Sequence, residues 1–405
     1  MRSRAHPEVL RWALFAGCLV LPAWLWPHGA VLGYLAQTAA LVVLALSYNL
    51  QLGTTGLLSF GHAAFAGLGA FAAAHWFNRF GGPLPLLPLV GGAAGAAFGL
   101  LFGVLATRRA GTAFAMITLG LGECVAAAAW SVPAWFGGLG GVPIDRASGP
   151  SLGGWQFGAP AHAYALIAVW CIGSALAMRA LTRTPLARLA NAVRDNPARV
   201  AALGTDPRRV RLAMVACASF FAGVAGTLTL IDIELATPDS VAMSRSATVL
   251  IAAVIGGTGS FFGPAAGAAA LTGLSVAVAG VSRAWALYLG LLFVVVVVAA
   301  PHGLAGIAAG LAHALRRGAP ALERWRMLCG VAACAFWSVA IVCAAELGYA
   351  WRFAQDDGTD LAFGAWRIDA DTPIGWAVAC SAAGIGTLLW GWRARLAHDA
   401  QEDGR

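Results

Sequence analysis

Apolar runs of about 20 residues, the length that crosses a bilayer core of about 30 Å as a helix, alternate along the chain with short polar or Pro/Gly-rich interruptions. Cutting at charges, Pro/Gly clusters and tryptophans predicts twelve spans, at residues 12–26, 31–50, 57–77, 84–106, 111–130, 161–181, 211–231, 247–258, 263–281, 285–300, 327–347 and 374–392. The pattern predicts an all-α polytopic integral membrane protein. It has about 10 core transmembrane helices, some broken by glycine, and a C-terminal two-helix hairpin. The first run follows Arg2, Arg4 and Arg11 but lacks a small-residue cleavage site, so it is read as an uncleaved span.

Composition agrees with the pattern. Hydrophobic residues make up 60% of the 405-residue chain and charged residues 11%, against about 25% charged in soluble domains, which leaves no stretch for a water-facing domain. Every one of the 26 basic residues is an arginine. Without lysine the chain cannot supply a phosphate-loop lysine or a Schiff base, so any ATP hydrolysis must come from another chain. The net charge of +8 sits in short clusters between apolar runs, which fits membrane topology rather than nucleic acid. With the N-terminus inside, twenty arginines fall in inner segments and six (79, 146, 245, 283, 352 and 367) in outer ones. Both termini are therefore expected in the cytoplasm. Trp24, Trp26, Trp76, Trp130, Trp135, Trp351 and Trp376 mark the outer interface, and Trp12, Trp325, Trp390 and Trp392 the inner one. The eight cysteines lie in apolar runs without a C-x-x-C pair, and no histidine spacing suits a metal. No cofactor or metal is expected.

Two glycine-rich stretches echo each other about 200 residues apart, as a degenerate internal repeat would. Gly53-Thr-Thr-Gly56-Leu-Leu-Ser59-Phe-Gly61-His62 opens the third span, and Gly256-Gly257-Thr258-Gly259-Ser260-Phe-Phe-Gly263-Pro264 separates the eighth from the ninth. Broken helices within a bilayer occur where freed backbone groups are buried in protein or line a wet cavity. The paired breaks therefore point to a translocation path, with close packing through small residues as the alternative. The candidate path residues are Thr55, Gly56, Ser59, Gly61 and His62 in the first break and Gly256, Gly257, Thr258, Gly259, Ser260 and Gly263 in the second. Glu123, the one carboxylate well inside a span, joins them, because an intramembrane acid is a functional candidate. His62 and Glu123 can equally be hydrogen-bonded structural residues.

The segment 182–210 between the sixth and seventh spans is basic and amphipathic. Leu186, Leu189, Ala190 and Val193 recur at helical spacing, Pro197 starts a second short helix and Gly204 can end it. A short helix across the cytoplasmic face is what a membrane subunit needs to be moved by a soluble motor; a plain topology-setting loop is the alternative.

At these segments the chain resembles the permease subunits of branched-chain amino-acid ABC importers, the LivM-type family, over about residues 35–310. The resemblance rests on Leu46-Ser-Tyr-Asn49-Leu-Gln-Leu-Gly53 running through His62, on Ile117-Thr-Leu-Gly-Leu-Gly-Glu123, on Arg194-Asp195-Asn196-Pro197 with Ala202-Leu-Gly204, on Gly256 to Gly263-Pro264, and on Pro301-His-Gly303-Leu. It implies a bacterial inner-membrane subunit that works with a second permease, two ATP-binding cassette subunits and a periplasmic substrate-binding protein. It also implies that Arg194, Asp195, Asn196, Pro197 and Gly204 couple it to the ATPase. The organisation expected is an N-terminal tail and first helix (1–34), a permease core (35–312), a basic cytoplasmic linker (313–326), a C-terminal hairpin with an acidic outer loop (327–392) and a cytoplasmic tail (393–405). Two features depart from the family pattern: Phe136-Gly137-Gly138-Leu-Gly140-Gly141 stands where a Thr-Gly-Gly and an acid belong, and everything beyond Pro320 is an addition. The expected cargo is leucine, isoleucine or valine, with urea or short amides as an alternative. A twelve-span secondary transporter would carry a charged turn between spans two and three, where this chain has Gln51 to Gly56. A membrane-embedded enzyme would need clustered acids or nucleophiles that are missing from the sequence.

Overall fold

The computed structural model describes residues 5–26, 28–150 and 156–279. Beyond them it describes helical residues scattered between 287 and 347, the strands Asp360–Phe363 and Trp366–Asp369, and the helix Pro373–Glu402. The chain divides into two units, residues 1–272 and 273–405.

In the first unit the helices are α1 (Ala5–Leu25), α2 (Gly29–Thr55), α3 (His62–Phe80), α4 (Leu87–Ala106), α5 (Thr112–Ser131), the single turn α6 (Pro133–Phe136), α7 (Pro160–Leu181), α8 (Pro185–Asp195), α9 (Pro197–Ala202), α10 (Pro207–Ile233), α11 (Met243–Gly256) and α12 (Gly263–Ala279). Each of the first nine predicted spans holds a helix. Among the described residues, six helices are long and apolar enough to cross a membrane. With the apolar composition, this makes the molecule an all-α polytopic membrane protein. The predicted spans at 285–300 and 327–347 lie outside the continuously described residues, as do Pro301 and His302.

Helix starts follow local chemistry. Proline occupies the first turn of α6, α7, α8, α9 and α10, where its missing N–H costs nothing. Ahead of α8, α9 and α10, the side chains of Thr184, Asn196 and Asp206 accept from the backbone N–H of Ala187, Arg199 and Arg208, satisfying donors that the helix leaves free.

The bundle is organised around α10, the most buried of the six long helices, whereas α1 is peripheral. Glycine sets the spacing. A Cβ on Gly223 of α10 would collide with the Gly91 carbonyl of α4, and one on Gly226 with the Ala66 carbonyl of α3. On α4, Gly91, Gly92, Gly95, Gly99 and Gly103 are all pressed onto α10. Backbones at this distance gain dispersion contacts that larger side chains would forbid.

At one end of the bundle Val142–Pro143 (β1) pairs antiparallel with Leu235–Ala236 (β2). Arg146 locks this pairing to α10: it donates to the carbonyls of Ile231 and Asp232 at 3.2 Å and pairs with Glu234 at 3.1 Å. Glu234 takes a left-handed φ of 60° as the cap of α10. In the second unit the expected acidic outer loop contains two antiparallel strands, β3 (Asp360–Phe363) and β4 (Trp366–Asp369). Cross-strand pairing gives part of the segment a regular structure that its acidic composition does not signal. The last helix, α13 (Pro373–Glu402), holds the predicted span 374–392 and packs Trp390 against Trp337 at a ring separation of 5.5 Å.

Candidate functional site

The first break lies between α2 and α3. Gly56 ends α2 in the left-handed conformation, φ 69°, and residues 57–61 run non-helically, so that α3 begins at His62 rather than near 57. Three neighbours hold this segment. The backbone N–H of Phe60 donates to Thr118 Oγ1 of α5 at 3.2 Å, and that of Ala63 to Ser246 Oγ of α11 at 3.0 Å. The His62 ring, fully buried, shares a 2.9 Å hydrogen bond with Ser47 Oγ through Nε2 and stands edge-on to Tyr48. Gly61 is held so close to α5 that a Cβ would collide with the Thr118 carbonyl. A small crevice beside it is lined by Gly61, Phe65, Phe114, Thr118, Gly122 and Val215.

The second break lies between α11 and α12. Gly257 ends α11 at φ 98° and the chain turns back at once, with Gly256 packed against the Gly263 carbonyl. The structure brings the two breaks together: Asn49 Nδ2 donates to the Ser260 carbonyl at 3.4 Å, and a Cβ on Gly53 would lie 3.5 Å from the Thr258 carbonyl. Polar atoms collect there. Asn49 Oδ1, Gln51 Oε1, Ser59 Oγ, His62 Nδ1 and Ser260 Oγ are buried without a hydrogen-bond partner among the described residues. Such groups cost about 1–3 kcal/mol each, and they give the breaks a set of donors and acceptors that the apolar walls around them lack. Thr55 is satisfied locally by the Gln51 carbonyl at 2.6 Å.

The segment 182–210 reaches the first break directly. Arg194, the penultimate residue of α8, donates from Nη1 to the Gly53 carbonyl at 2.6 Å, and its Cγ would lie 3.3 Å from a Cβ on Gly56. Gly53 belongs to the last turn of α2, whose carbonyls lack helical partners and carry the negative end of the helix dipole. Arg208 does the same for α4, donating to the Val104 carbonyl at 2.9 Å. Arg179 and Arg183 grip Glu8 of α1 at 2.6 Å each, and Arg179 lies over Phe261 of the second break. Trp12 and Phe15 of α1 pack on Phe262. Asp195, Asn196, Pro197, Leu203 and Gly204 face outward, with Gly204 at φ 85° closing α9 as expected. The buried side of α8 is Ala187, Ala190 and Val193, while Leu189, counted on that face from its spacing, is 39% exposed. Small residues suit the close approach to α10, so the helix has turned the bulkier leucine outward.

Glu123 is exposed on α5 and does not join the breaks, although its neighbour Gly122 packs on Gly61. A charged residue that sequence reasoning missed is Arg245, assigned to an outer connection because it precedes an apolar run. It is the third residue of α11, part-buried, with Nη2 donating to Thr229 Oγ1 of α10 at 3.3 Å. Its signal was weak: Ser244, Arg245 and Ser246 break the hydropathy of a short helix without interrupting the helix itself.

The family model described as branched-chain amino acid transport system / permease component matches residues 30–300, which include both breaks and the α8–α9 segment. The high-affinity branched-chain amino acid transport system permease protein LivM of Escherichia coli (strain K12) is 30% identical over 276 residues, 62% of this chain and 64% of that protein. Its namesake from Salmonella typhimurium is 30% identical over 274 residues, with the same coverage. The chain thus spans slightly under two thirds of the length of these curated relatives. No solved structure matches it. Given a family match that runs through both glycine breaks and the intervening segment, the chain belongs to the family of branched-chain amino acid transport system permease components.

Proposed function

We propose that this chain is the membrane permease subunit of an ATP-driven importer for branched-chain amino acids. In this reading it works in the bacterial plasma membrane with a second permease, two ATP-binding cassette subunits and a periplasmic substrate-binding protein. The observation that carries the reading is the link from the outward-facing α8–α9 segment, through Arg194, to the end of α2 at the first break. A soluble motor pushing on α8 would act on the breaks through that hydrogen bond, and the family match supports such a motor. Both termini lie in the cytoplasm, on the side of α8 and α9, which agrees with the excess of arginine there. The core is a ten-helix unit with a degenerate repeat at the breaks, and residues 327–392 add a two-helix hairpin. Trp337 against α13 supports the hairpin. The path follows the polar atoms of the two breaks, and Arg194, Asp195, Asn196, Pro197 and Gly204 form the coupling element.

Reconstitution tests this. Proteoliposomes holding the chain with its partner subunits should accumulate leucine only with ATP and the binding protein. Leucine uptake by this chain alone, driven by an ion gradient and indifferent to ATP, would overturn the reading.

A further inference from the structure

Arg245 carries a permanent charge in the interior of a membrane bundle, and among the described residues no carboxylate lies within 4.0 Å of it. Its one hydrogen bond there goes to Thr229 Oγ1, which leaves most of its five N–H donors uncommitted. The guanidinium lines a narrow crevice with Thr229, Ser240 and the apolar Leu44, Leu230 and Leu235. Ser240 Oγ is buried there without a partner. The crevice runs inward from β2, whose Leu235 and Ala236 line it, to Ala66 and Gly67 in the second turn of α3, and Ser246, beside Arg245, caps the start of α3. Near Arg245, then, α3 and α11 both begin inside the bundle. Broken helices starting at such a depth direct the positive ends of their dipoles toward an anionic group.

An intramembrane arginine is held by a counter-charge, by water or by a ligand. We propose that Arg245, with Ser240 and Thr229, forms a weak transit site for the carboxylate of an aliphatic amino acid, whose side chain rests on the leucines. A guanidinium fork and a hydroxyl match a carboxylate, whereas urea and short amides offer no negative charge. The site therefore selects the carboxylate-bearing class within the import reading, on which it rests. In this structure residues 238–241 close the crevice, with Val241 and Ser240 packed onto Gly67. Entry requires that short segment to lift from α3.

The test uses the full complex. Arg245→Gln should slow ATP-driven leucine import about tenfold or more, the loss expected for a charge-assisted hydrogen bond, and Arg245→Lys should recover part of it. In parallel, a Ser240→Cys complex without binding protein is treated with a small thiol reagent, using the parent complex to subtract the native cysteines. Millimolar leucine should slow labelling at position 240, leucinamide should not, and adding Arg245→Gln should abolish the protection. If the parent complex imports leucine and Arg245→Gln imports it equally fast, the site is wrong and the importer reading stands. Equal protection by leucinamide also overturns the carboxylate assignment. If Arg245→Gln does not assemble, the leucine and leucinamide labelling in the arginine-bearing complex decides. A parent complex that imports no branched-chain amino acid sinks the importer reading instead, and the protection pattern still reports on Arg245.

Discussion

The two glycine breaks look alike as text and differ as structures. Gly56 ends α2 and Gly257 ends α11, each six positions before the first residue of the next helix. By letter pattern, G-x-T-G pairs Gly56 with Gly259; by geometry, Gly56 corresponds to Gly257. After Gly56 the chain passes through five non-helical residues, held by Thr118 of α5 at Phe60 and Gln51 of α2 at Leu57, with Leu57, Ser59 and Gly61 buried. After Gly257 it makes a tight turn in which Gly259 is exposed and α12 folds back onto α11. The first break inserts between neighbours and carries the link to α8; the second is a helix hairpin clasped by the aromatic residues of α1. A repeated motif can thus keep its helix-ending chemistry while tertiary packing assigns its two copies different mechanical roles.

The largest effect should come from filling the first break. A Cβ at Gly61 already collides with the Thr118 carbonyl, so Gly61→Leu should cost about 3 kcal/mol or more and abolish import. Size-exclusion and thermal-unfolding measurements on the solubilised protein will show whether the break is a packed joint. Normal assembly with a selective loss of transport would mean instead that it yields to make room for cargo.

Replacing the helix-ending glycines compares the breaks directly. Gly56 sits at φ 69°, ψ 14°, a left-handed position that an alanine occupies for about 1–2 kcal/mol. Gly257 sits at φ 98°, ψ 110°, outside that region, and Gly257→Ala should cost about 3 kcal/mol. Thermal unfolding should therefore rank Gly257→Ala below Gly56→Ala. The reverse order would mean that contact with Arg194, rather than backbone conformation, governs the first break.

Much of this arrangement was legible in the sequence, and the reasons are local. Apolar runs of about 20 residues point to the long helices, and Pro197 and Gly204 to the start and end of α9. What depends on partners distant in sequence was hidden. Arg194, Arg208 and Arg146 read as topology markers, yet each satisfies carbonyls at the end of a helix remote in sequence. Arg245 reads as part of a connection because its partner Thr229 lies 16 positions away, on α10. Glu123 was grouped with the breaks on its intramembrane position, and only the rotation of α5 about its axis turns it outward. No hydropathy pattern could signal β1 and β2, two residues each and paired across more than 90 positions.

A smaller effect is expected at the link itself. Arg194→Gln removes the charged donor to Gly53 but leaves α8 exposed for a partner. Import should fall about fivefold or more, the lower range for coupling between sites, while ATP hydrolysis by the complex continues. Gly204→Pro, which cannot adopt φ 85°, should uncouple in the same direction. Parallel loss of hydrolysis and import would assign these residues to assembly with the ATPase rather than to transmission.

The smallest effect should fall on Gly259, the residue that the letter pattern equates with Gly56. It has no positive φ, and a Cβ built on it meets nothing within 4 Å. A glycine whose conformation an alanine can share without strain is replaced at little cost, or with a gain of about 0.4–1 kcal/mol from the less flexible unfolded chain. Gly259→Ala should therefore leave thermal unfolding unchanged or slightly raised and import at the parent rate. A loss of import with stability intact would show that the turn needs Gly259 in a second conformation, one with the left-handed φ that Gly56 already has, and the two breaks would then be mechanical equivalents that this state happens to catch at different stages.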